Sequence, residues 1–266
     1  IATYQDITEL ELSAATMLEY TEKLERSNRE LVDFAYVASH DLQEPLRKIE
    51  AFGDRLMKKY STLLPEDGKM FVERMHNAAG RMRILINDLL SYSRVTTNAK
   101  PFKLIALSDV LEDVKSDLQI RIEESGAKIE SGNLPAIQCD GTQFRQLFQN
   151  IISNALKFRK PDVAPIVKVD AKVVQNSAAP NSPSYVVIEI SDNGIGFDNQ
   201  FKDQIFTIFQ RLHNRNQYEG TGIGLATCRK IVERHGGIIM ADGAAGLGSK
   251  FTITIPENQI NKELAA

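Results

Sequence analysis

From Ile7 onward a seven-residue spacing can be counted without a break in two interleaved series. One is Ile7, Ala14, Thr21, Asn28, Ala35, Leu42 and Ile49; the other is Leu10, Met17, Leu24, Leu31, Ala38, Pro45 and Phe52. Such spacing predicts a coiled-coil or bundle seam, because it keeps one stripe of a long helix against a partner. Ala14, Thr21 and Asn28 make the seam weak, and a buried Asn28 would fix its register. Pro45 then breaks a local rule. Inside a helix it removes one hydrogen bond and clashes with the carbonyl of Asp41, at a cost of ~3 kcal/mol. His40 falls two positions past Ala38, on the outer face of the predicted seam, with Asp41 beside it. A carboxylate holding Nδ1 would leave Nε2 as an uncharged nucleophile. A surface histidine on a kinked structural helix is the plainer reading of the same pair.

The first helix is predicted to end at Lys58–Leu64, and Pro65-Glu66-Asp67 suits the first turn of a second. There Phe71, Met75, Ala78, Met82, Leu85, Leu89 and Tyr92 recur at three- and four-residue steps. Two long helices joined by a short loop make an antiparallel hairpin. One hairpin leaves its seam uncovered, so two are expected to pair into a four-helix bundle. Packing against the C-terminal half is the alternative.

After the polar stretch ending at Pro101 the pattern changes to mixed helix and strand. Strands are expected at Phe102–Ala106, Lys128–Glu130, Ile137–Cys139, Ile166–Val174, Tyr185–Ser191, Ile238–Ala241 and Lys250–Ile255. Helices are expected from Ser108, as an N-cap, to Ser125, from Thr142 to Lys160, and from Gly224 to Arg234. Asn176–Ser184 reads as a hairpin loop and Asn258–Ala266 as a tail. The resulting organisation is an N-terminal signalling coiled coil (1–30), a helical hairpin (31–95), a linker (96–101), an α/β domain (102–257) and the tail (258–266).

A formal charge of −3 over 266 residues provides no bulk attraction for nucleic acid or an anionic membrane. No run reaches the ~18 apolar residues of a membrane span. Two cysteines far apart, without metal-ligand spacing, fit a reducing cytoplasmic setting.

Three stretches of the C-terminal part carry chemistry. On the predicted helix around Gln146–Phe158, steps of four and three align Asn150, Asn154 and Lys157. Amide oxygens suit Mg²⁺ and an ammonium suits phosphate, whereas an ordinary solvated face needs neither. In Ile188-Glu-Ile-Ser-Asp192-Asn-Gly194-Ile-Gly196-Phe-Asp198 a strand delivers Asp192 into a glycine turn. Its carboxylate can accept from an adenine amino group; a plain hairpin turn is the alternative. In Glu219-Gly220-Thr221-Gly222-Ile223-Gly224-Leu225 the glycines open a helix whose first amides would point at phosphate. It is not a Walker loop, since no Lys-Ser/Thr follows, and Leu225 fails the dinucleotide fingerprint. Between the last two stretches, Phe206-Thr-Ile-Phe209-Gln-Arg211-Leu-His213-Asn-Arg215 suits a loop covering a triphosphate, with the phenylalanines also packing on the core.

The order of these stretches, led by Phe34-Ala-Tyr-Val-Ala-Ser-His40-Asp-Leu-Gln-Glu-Pro45-Leu46, resembles the sensor histidine kinases from the hairpin to Pro256. The wording around His40 and at Phe209-Gln-Arg-Leu-His213 is most similar to the phytochrome- and PAS-linked branch. Tyr4-Gln-Asp-Ile-Thr-Glu9 is similar to the end of a PAS domain. The resemblance implies a dimerising phosphotransfer hairpin followed by a Bergerat-type α/β sandwich that binds ATP and Mg²⁺. It implies a homodimer, an upstream PAS-type or photosensory domain, and a response regulator receiver domain as partner. By position it makes His40 the phospho-acceptor, Asp41 its acidic partner and Asn154 the Mg²⁺ ligand. Lys157 becomes a phosphate contact, Phe158 the residue against the base and Asp192 the adenine reader. An ATPase of the gyrase or chaperone type, or a degenerate ATP-gated scaffold, are the rival readings. One position departs from the family pattern: Glu44 stands where kinases that also dephosphorylate their regulator commonly have Thr or Asn.

Overall fold

The computed structural model describes residues 8–175, 184–212, 217–218 and 220–257, and only some of the side chains between residues 8 and 40. The expectations placed on Ile1–Ile7, on most of the Asn176–Ser184 loop and on the tail Asn258–Ala266 lie outside the described residues. So do most of the N-terminal seam side chains, including Asn28, and the side chain of His40. The chain divides into two compact units, Ile1–Ser93 and Arg94–Ala266.

The first unit is a helical hairpin. Helix α1 runs from Thr8 to Tyr60 as one helix that contains Pro45. It closes where Leu63 and Leu64 both donate to the Tyr60 carbonyl, at 2.9 and 3.0 Å. Helix α2, Glu66–Thr97, opens with Glu66 and Asp67, whose charges complement the partial positive charge of a helix N-terminus. Within the hairpin, α1 buries Leu46 and Gly53, and α2 buries Val72, Ala79, Ile86 and Leu90. Each of these is the residue immediately after one expected at the seam: Pro45 and Phe52, then Phe71, Ala78, Leu85 and Leu89. The expected seam residues lie on the adjacent stripe. Leu42, Ile49, Phe52, Phe71, Met75 and Met82 are exposed in the single chain. Two neighbouring apolar stripes per helix make a face too wide for one partner helix, which is the pattern of a bundle rather than of a two-helix coil. Polar pairs also cross the hairpin. Gln43 Nε2 donates to Asn87 Oδ1 at 2.7 Å, Arg83 meets Glu50 at 3.0 Å, and His76 Nδ1 lies 3.4 Å from Asp54.

The second unit is a layer of helices on a mixed sheet. Strand β1 (Lys103–Ala106) leads into helix α3 (Leu107–Asp117), helix α4 (Gln119–Ser125) and strands β2 (Lys128–Ser131) and β3 (Ala136–Cys139). Helix α5 (Gly141–Lys157), strands β4 (Ile166–Val174) and β5 (Tyr185–Asp192), helix α6 (Gly224–Arg234) and strands β6 (Ile238–Ala244) and β7 (Gly248–Pro256) follow. The main sheet has the order β2-β4-β5-β7-β6, and β1 pairs separately with β3. Only β2 and β4 run parallel in the main sheet; its other neighbours are antiparallel. Alternating burial along β5 and β7 turns Val186, Ile188, Ile190, Phe251, Ile253 and Ile255 inward. Against them α5 sets Phe144, Leu147, Phe148, Ile151 and Ile152, all fully or almost fully buried. Burying a side chain of that size contributes roughly 1.5–3 kcal/mol, so this layer is what holds the unit together.

Two local expectations are corrected. Ser108 is not an N-cap: α3 begins at Leu107 after Ala106, whose side chain makes no cap. The single helix expected to Ser125 breaks at Leu118, whose φ −99° and ψ 7° leave the helical region, and Leu118 is buried there. Helix α5 is capped by Asp140, whose Oδ1 accepts from the amides of Thr142 and Gln143 at 3.1 and 3.3 Å.

The stretch expected as linker is helical to Thr97 and held on the second unit. Val95 is buried in its core, and Lys100 donates its backbone amide to Asp140 Oδ2 at 2.9 Å. Arg234 completes the attachment by donating to the Lys100 carbonyl at 2.8 Å.

Candidate functional site

The three chemistry-bearing stretches of the second unit converge at one end of α5. Its apolar face is committed to the sheet, so Asn150, Asn154 and Lys157 are left half-buried on the opposite stripe. The side-chain amide of Asn150 donates to the Gly224 carbonyl at 3.2 Å, tying α5 to the first residue of α6. A Cβ on Gly224 would sit 3.6 Å from that carboxamide, ordinary contact distance. Lys157 lies at the far end of the stripe. Its Nζ stands 4.1 Å from the centre of the Phe158 ring, and a Cβ added to Gly220 would come within 3.2 Å of it. The glycine-rich stretch therefore runs along the polar side of α5, from Lys157 at Gly220 to Asn150 at Gly224.

Asp192 ends β5 and occupies a turn built around its own carboxylate. Oδ1 accepts from Gly194 N–H at 2.8 Å and from Ser249 N–H at 3.3 Å. Burial raises the carboxyl above its ordinary range, and the two amides oppose that shift without cancelling it. The turn closes on α5, since Ile195 N–H donates to the Phe158 carbonyl at 2.9 Å. Gly196, at φ 65°, is required because a Cβ there would collide with the Ala244 carbonyl. Asn193, which sequence reasoning treated only as part of the turn, has a separate task. Its Oδ1 accepts from Ile166 N–H at 2.8 Å and its Nδ2 donates to the Ala164 carbonyl at 3.1 Å, fixing the entry to β4. An Asn after a strand-ending Asp was the only available signal.

The connection from Phe197 to Gly220 contains two short 3₁₀ turns, Asn199–Phe201 and Gln204–Phe206. Phe206 is buried, edge-on to Phe251, with the Arg229 guanidinium over its ring at 4.4 Å. Phe209 is exposed and strained at φ 65°, held by a bond from its amide to the Gly222 carbonyl. Arg211 donates to the carbonyls of Gly220 and Tyr218. Tyr218, which the sequence did not single out, brings its ring to 4.9 Å from Phe158. Arg215, His213 and Glu219 lie outside the described residues. Helix α6 starts without a side-chain cap; Thr221 Oγ1 accepts from the Ile223 amide, and Leu225 packs against the core.

On the hairpin, His40 is placed within α1, with Ser39 buried and Asp41 exposed. Glu44, one turn on, pairs with Lys48 at 2.7 Å. Among the described residues no group of three or more His, Cys, Asp or Glu could hold a metal ion. Among them, too, no helix is long and apolar enough to cross a membrane.

A helical hairpin carrying a His-Asp pair, followed by a helix-on-sheet unit with a glycine-rich stretch along one helix, defines a class, and similarity to known proteins agrees. Residues 30–98 match the His Kinase A (phospho-acceptor) domain, and residues 139–259 match the histidine kinase-, DNA gyrase B- and HSP90-like ATPase family. The chain belongs to the sensor histidine kinases, of which it carries the catalytic core. It is 41% identical over 243 residues to the phytochrome-like protein Cph1 of Synechocystis sp., covering 91% of this chain and 31% of that protein. It is 43% identical over 233 residues to cyanobacterial phytochrome A of Nostoc sp., covering 88% and 29% respectively. The chain thus spans about a third of the length of these relatives. In fold it is similar to full-length ShkA in complex with AMPPNP, with a TM-score of 0.62 and 22% identity, covering 86% of this chain and 46% of that one.

Proposed function

We propose that the chain is an ATP-dependent protein-histidine kinase that phosphorylates His40 and passes the phosphoryl group to an aspartate of a response regulator receiver domain. The observation that carries this reading is the pairing, in one chain, of an acceptor helix with a unit in which Asp192, Lys157 and the Gly220–Gly224 stretch surround one end of α5. Asp192 accepts from the adenine amino group and Lys157 faces phosphate. Asn154 would offer the amide oxygen that suits Mg²⁺. When bound, that cation neutralises charge on the transferring group. In the reaction, Nε2 of His40 forms a bond to the γ-phosphorus as the bond from that phosphorus to the bridging oxygen breaks. ADP leaves, and Asp41 orients the ring or takes its proton. Transfer to the regulator then breaks the N–P bond and forms an acyl phosphate.

The exposed stripe Leu42, Ile49, Phe52, Phe71, Met75 and Met82 supports a homodimer through the hairpin. Phe52→Asp is expected to shift the chain toward monomer in equilibrium sedimentation. The similarity to phytochromes supports an upstream photosensory domain. Two free, buried cysteines fit a cytoplasmic setting.

Incubation with γ-labelled ATP tests the function. Acid-labile, base-stable label on the protein means kinase, free phosphate alone means ATPase, and neither means a scaffold. His76 is the rival acceptor on the hairpin, because Asp54 provides it with an acidic neighbour across the helices at 3.4 Å. His40→Gln is expected to abolish the label while nucleotide binding persists; label that survives overturns the assignment.

A further inference from the structure

Arg211 was expected to reach phosphate, yet the contacts of its guanidinium run elsewhere. Nη1 donates to the Gly220 carbonyl at 2.7 Å and Nη2 donates to the Tyr218 carbonyl. A guanidinium fork has a fixed planar geometry, and here its two arms hold the backbone on both sides of residue 219. The backbone so held has one aromatic side chain, Tyr218, and its ring packs against Phe158 with centroids 4.9 Å apart and planes inclined by 52°. That geometry is the tilted, favourable arrangement for an aromatic pair. Phe158 in turn is bonded through its carbonyl to Ile195 N–H at 2.9 Å, in the turn that Asp192 organises. Tyr218, Phe158 and the Asp192 turn are therefore one connected structure at the base end of the nucleotide site. Lys157 Nζ lies 4.1 Å from the centre of the Phe158 ring, and a Cβ added to Gly220 would come within 3.2 Å of it.

We propose that Tyr218 is a nucleotide-contact residue, forming with Phe158 the aromatic wall at the base end of the site. In the same proposal Arg211 is a positioning residue that acts through the Tyr218 and Gly220 carbonyls, not a phosphate ligand. The inference rests on the adenine-nucleotide reading above and adds to it which part of the nucleotide these two residues sense. A wall at the base end meets the moiety that ATP and ADP share. A phosphate ligand on the terminal group meets only what ATP has.

The test is equilibrium titration of the whole chain with ATP and with ADP, at one fixed Mg²⁺ concentration. Tyr218→Ala is expected to weaken both nucleotides by the same factor, on the order of 3- to 10-fold, the range an aromatic contact supports. Tyr218→Phe keeps the ring and should stay within about twofold of the parent on the same grounds. Arg211→Ala should follow Tyr218→Ala with the ATP:ADP affinity ratio unchanged. The double variant should lose little more than Arg211→Ala alone, because the two act as one device. Arg211→Lys, which keeps charge but lacks the fork, should resemble Arg211→Ala and guards against a folding artefact. A loss confined to ATP in Arg211→Ala, or unchanged affinities in Tyr218→Ala, overturns the proposal. Failure of the parent chain to bind either nucleotide overturns the reading beneath it.

Discussion

The side-chain amide of Gln143 donates to the Val95 carbonyl at 2.7 Å, which makes the last turn of α2 part of the second unit. Gln143 is buried, and its Oε1 accepts from Arg234 Nη1 at 2.9 Å. Arg234 also reaches the buried carboxylate of Asp140 at 3.4 Å, so one connected polar group holds both sides of the Thr96–Lys100 stretch. A fully satisfied group of this kind is rigid, and removing one member leaves buried partners unpaired.

Gln143→Ala should therefore destabilise the second unit by about 1–3 kcal/mol, the usual cost of orphaned buried polar groups. Hydrogen exchange at the amides of Thr96–Lys100 should accelerate in the same variant, since Val95 loses its anchor. Urea unfolding of the whole chain and exchange at those amides check both. Unchanged exchange there would mean that Val95 burial alone keeps the stretch in place.

His235 lies beside this group and makes it acid-sensitive. Its Nε2 accepts the Asp140 amide at 3.1 Å, its Nδ1 is 2.7 Å from the Ile231 carbonyl, and Phe102 and Phe144 cover the ring. Burial first, and then the neighbouring Arg234 charge, push its pKa down to about 4 from 6.5, against the opposing pull of Ile231 and Asp140. Between those values the unfolded chain takes a proton that the folded one refuses. The stability is complete above pH ~6.5 and is lost as pH falls toward ~4. At ~1.4 kcal/mol per unit the loss is at most about 3 kcal/mol. His235→Gln keeps an acceptor without a titrating ring, so it should show a shallower fall in stability from pH 7 to pH 4. Parallel pH profiles for the two proteins would refute this assignment.

Asp192 carries the opposite sign. Its carboxyl is raised by burial, so the folded chain holds the proton longer than the unfolded one. Folding stability then falls as pH rises from the unfolded pKa through the raised folded value, and stays lowered above it. Asp192→Asn keeps an oxygen for the Gly194 and Ser249 amides but has no charge to bury. It should be more stable than the parent at pH 7 and should lose that advantage at acid pH. Nucleotide affinity should move the other way, weakened about tenfold, because a neutral amide oxygen is a poorer acceptor than a carboxylate. Thermal melts at both pH values, beside ATP titration, separate the two effects. A variant that is both less stable and weaker in binding would show the carboxylate to be structural.

Much of this was legible because periodicity and glycine placement are local properties. The seven-residue spacing located the first hairpin helix, three- and four-residue steps located the second, and strands of the main sheet fell near Ile166, Tyr185, Ile238 and Lys250 as expected. Within the single hairpin the buried residues fall one position after the expected seam, Leu46 after Pro45 and Gly53 after Phe52, because the second helix covers one stripe and leaves its neighbour exposed. The break at Leu118 in the helix expected to run to Ser125 has no local signal, because leucine is a good helix former and tertiary context overrides propensity. The bonds that give Arg211, Asn193 and Gln143 their roles join residues far apart in sequence or in a loop without periodicity, so no pattern could reveal them.

In the proposed reaction, Glu44 bears on what happens to the phosphoryl group after transfer. It is exposed on α1, one turn beyond His40, with its carboxylate 2.7 Å from Lys48 Nζ. A carboxylate only accepts hydrogen bonds, so Glu44 cannot donate one to hold a water against an acyl phosphate, and pairing with Lys48 does not change that. The chain should therefore accelerate dephosphorylation of its regulator very little. Glu44→Asn supplies an amide donor at the same position and releases Lys48. An exposed pair of this type contributes well under ~1 kcal/mol, so the helix should tolerate the change. The measurement is decay of a phosphorylated regulator with ADP present, using His40→Gln as background so that the phosphoryl group cannot return to the kinase. In that background, the protein with Glu44 should leave the decay rate close to that of the regulator alone. Glu44→Asn should raise it by on the order of tenfold, about 1.4 kcal/mol of transition-state stabilisation. Rapid decay with Glu44 in place would show that another group on the hairpin positions the water, and Asn87, held by Gln43 at 2.7 Å, is the side chain to substitute next.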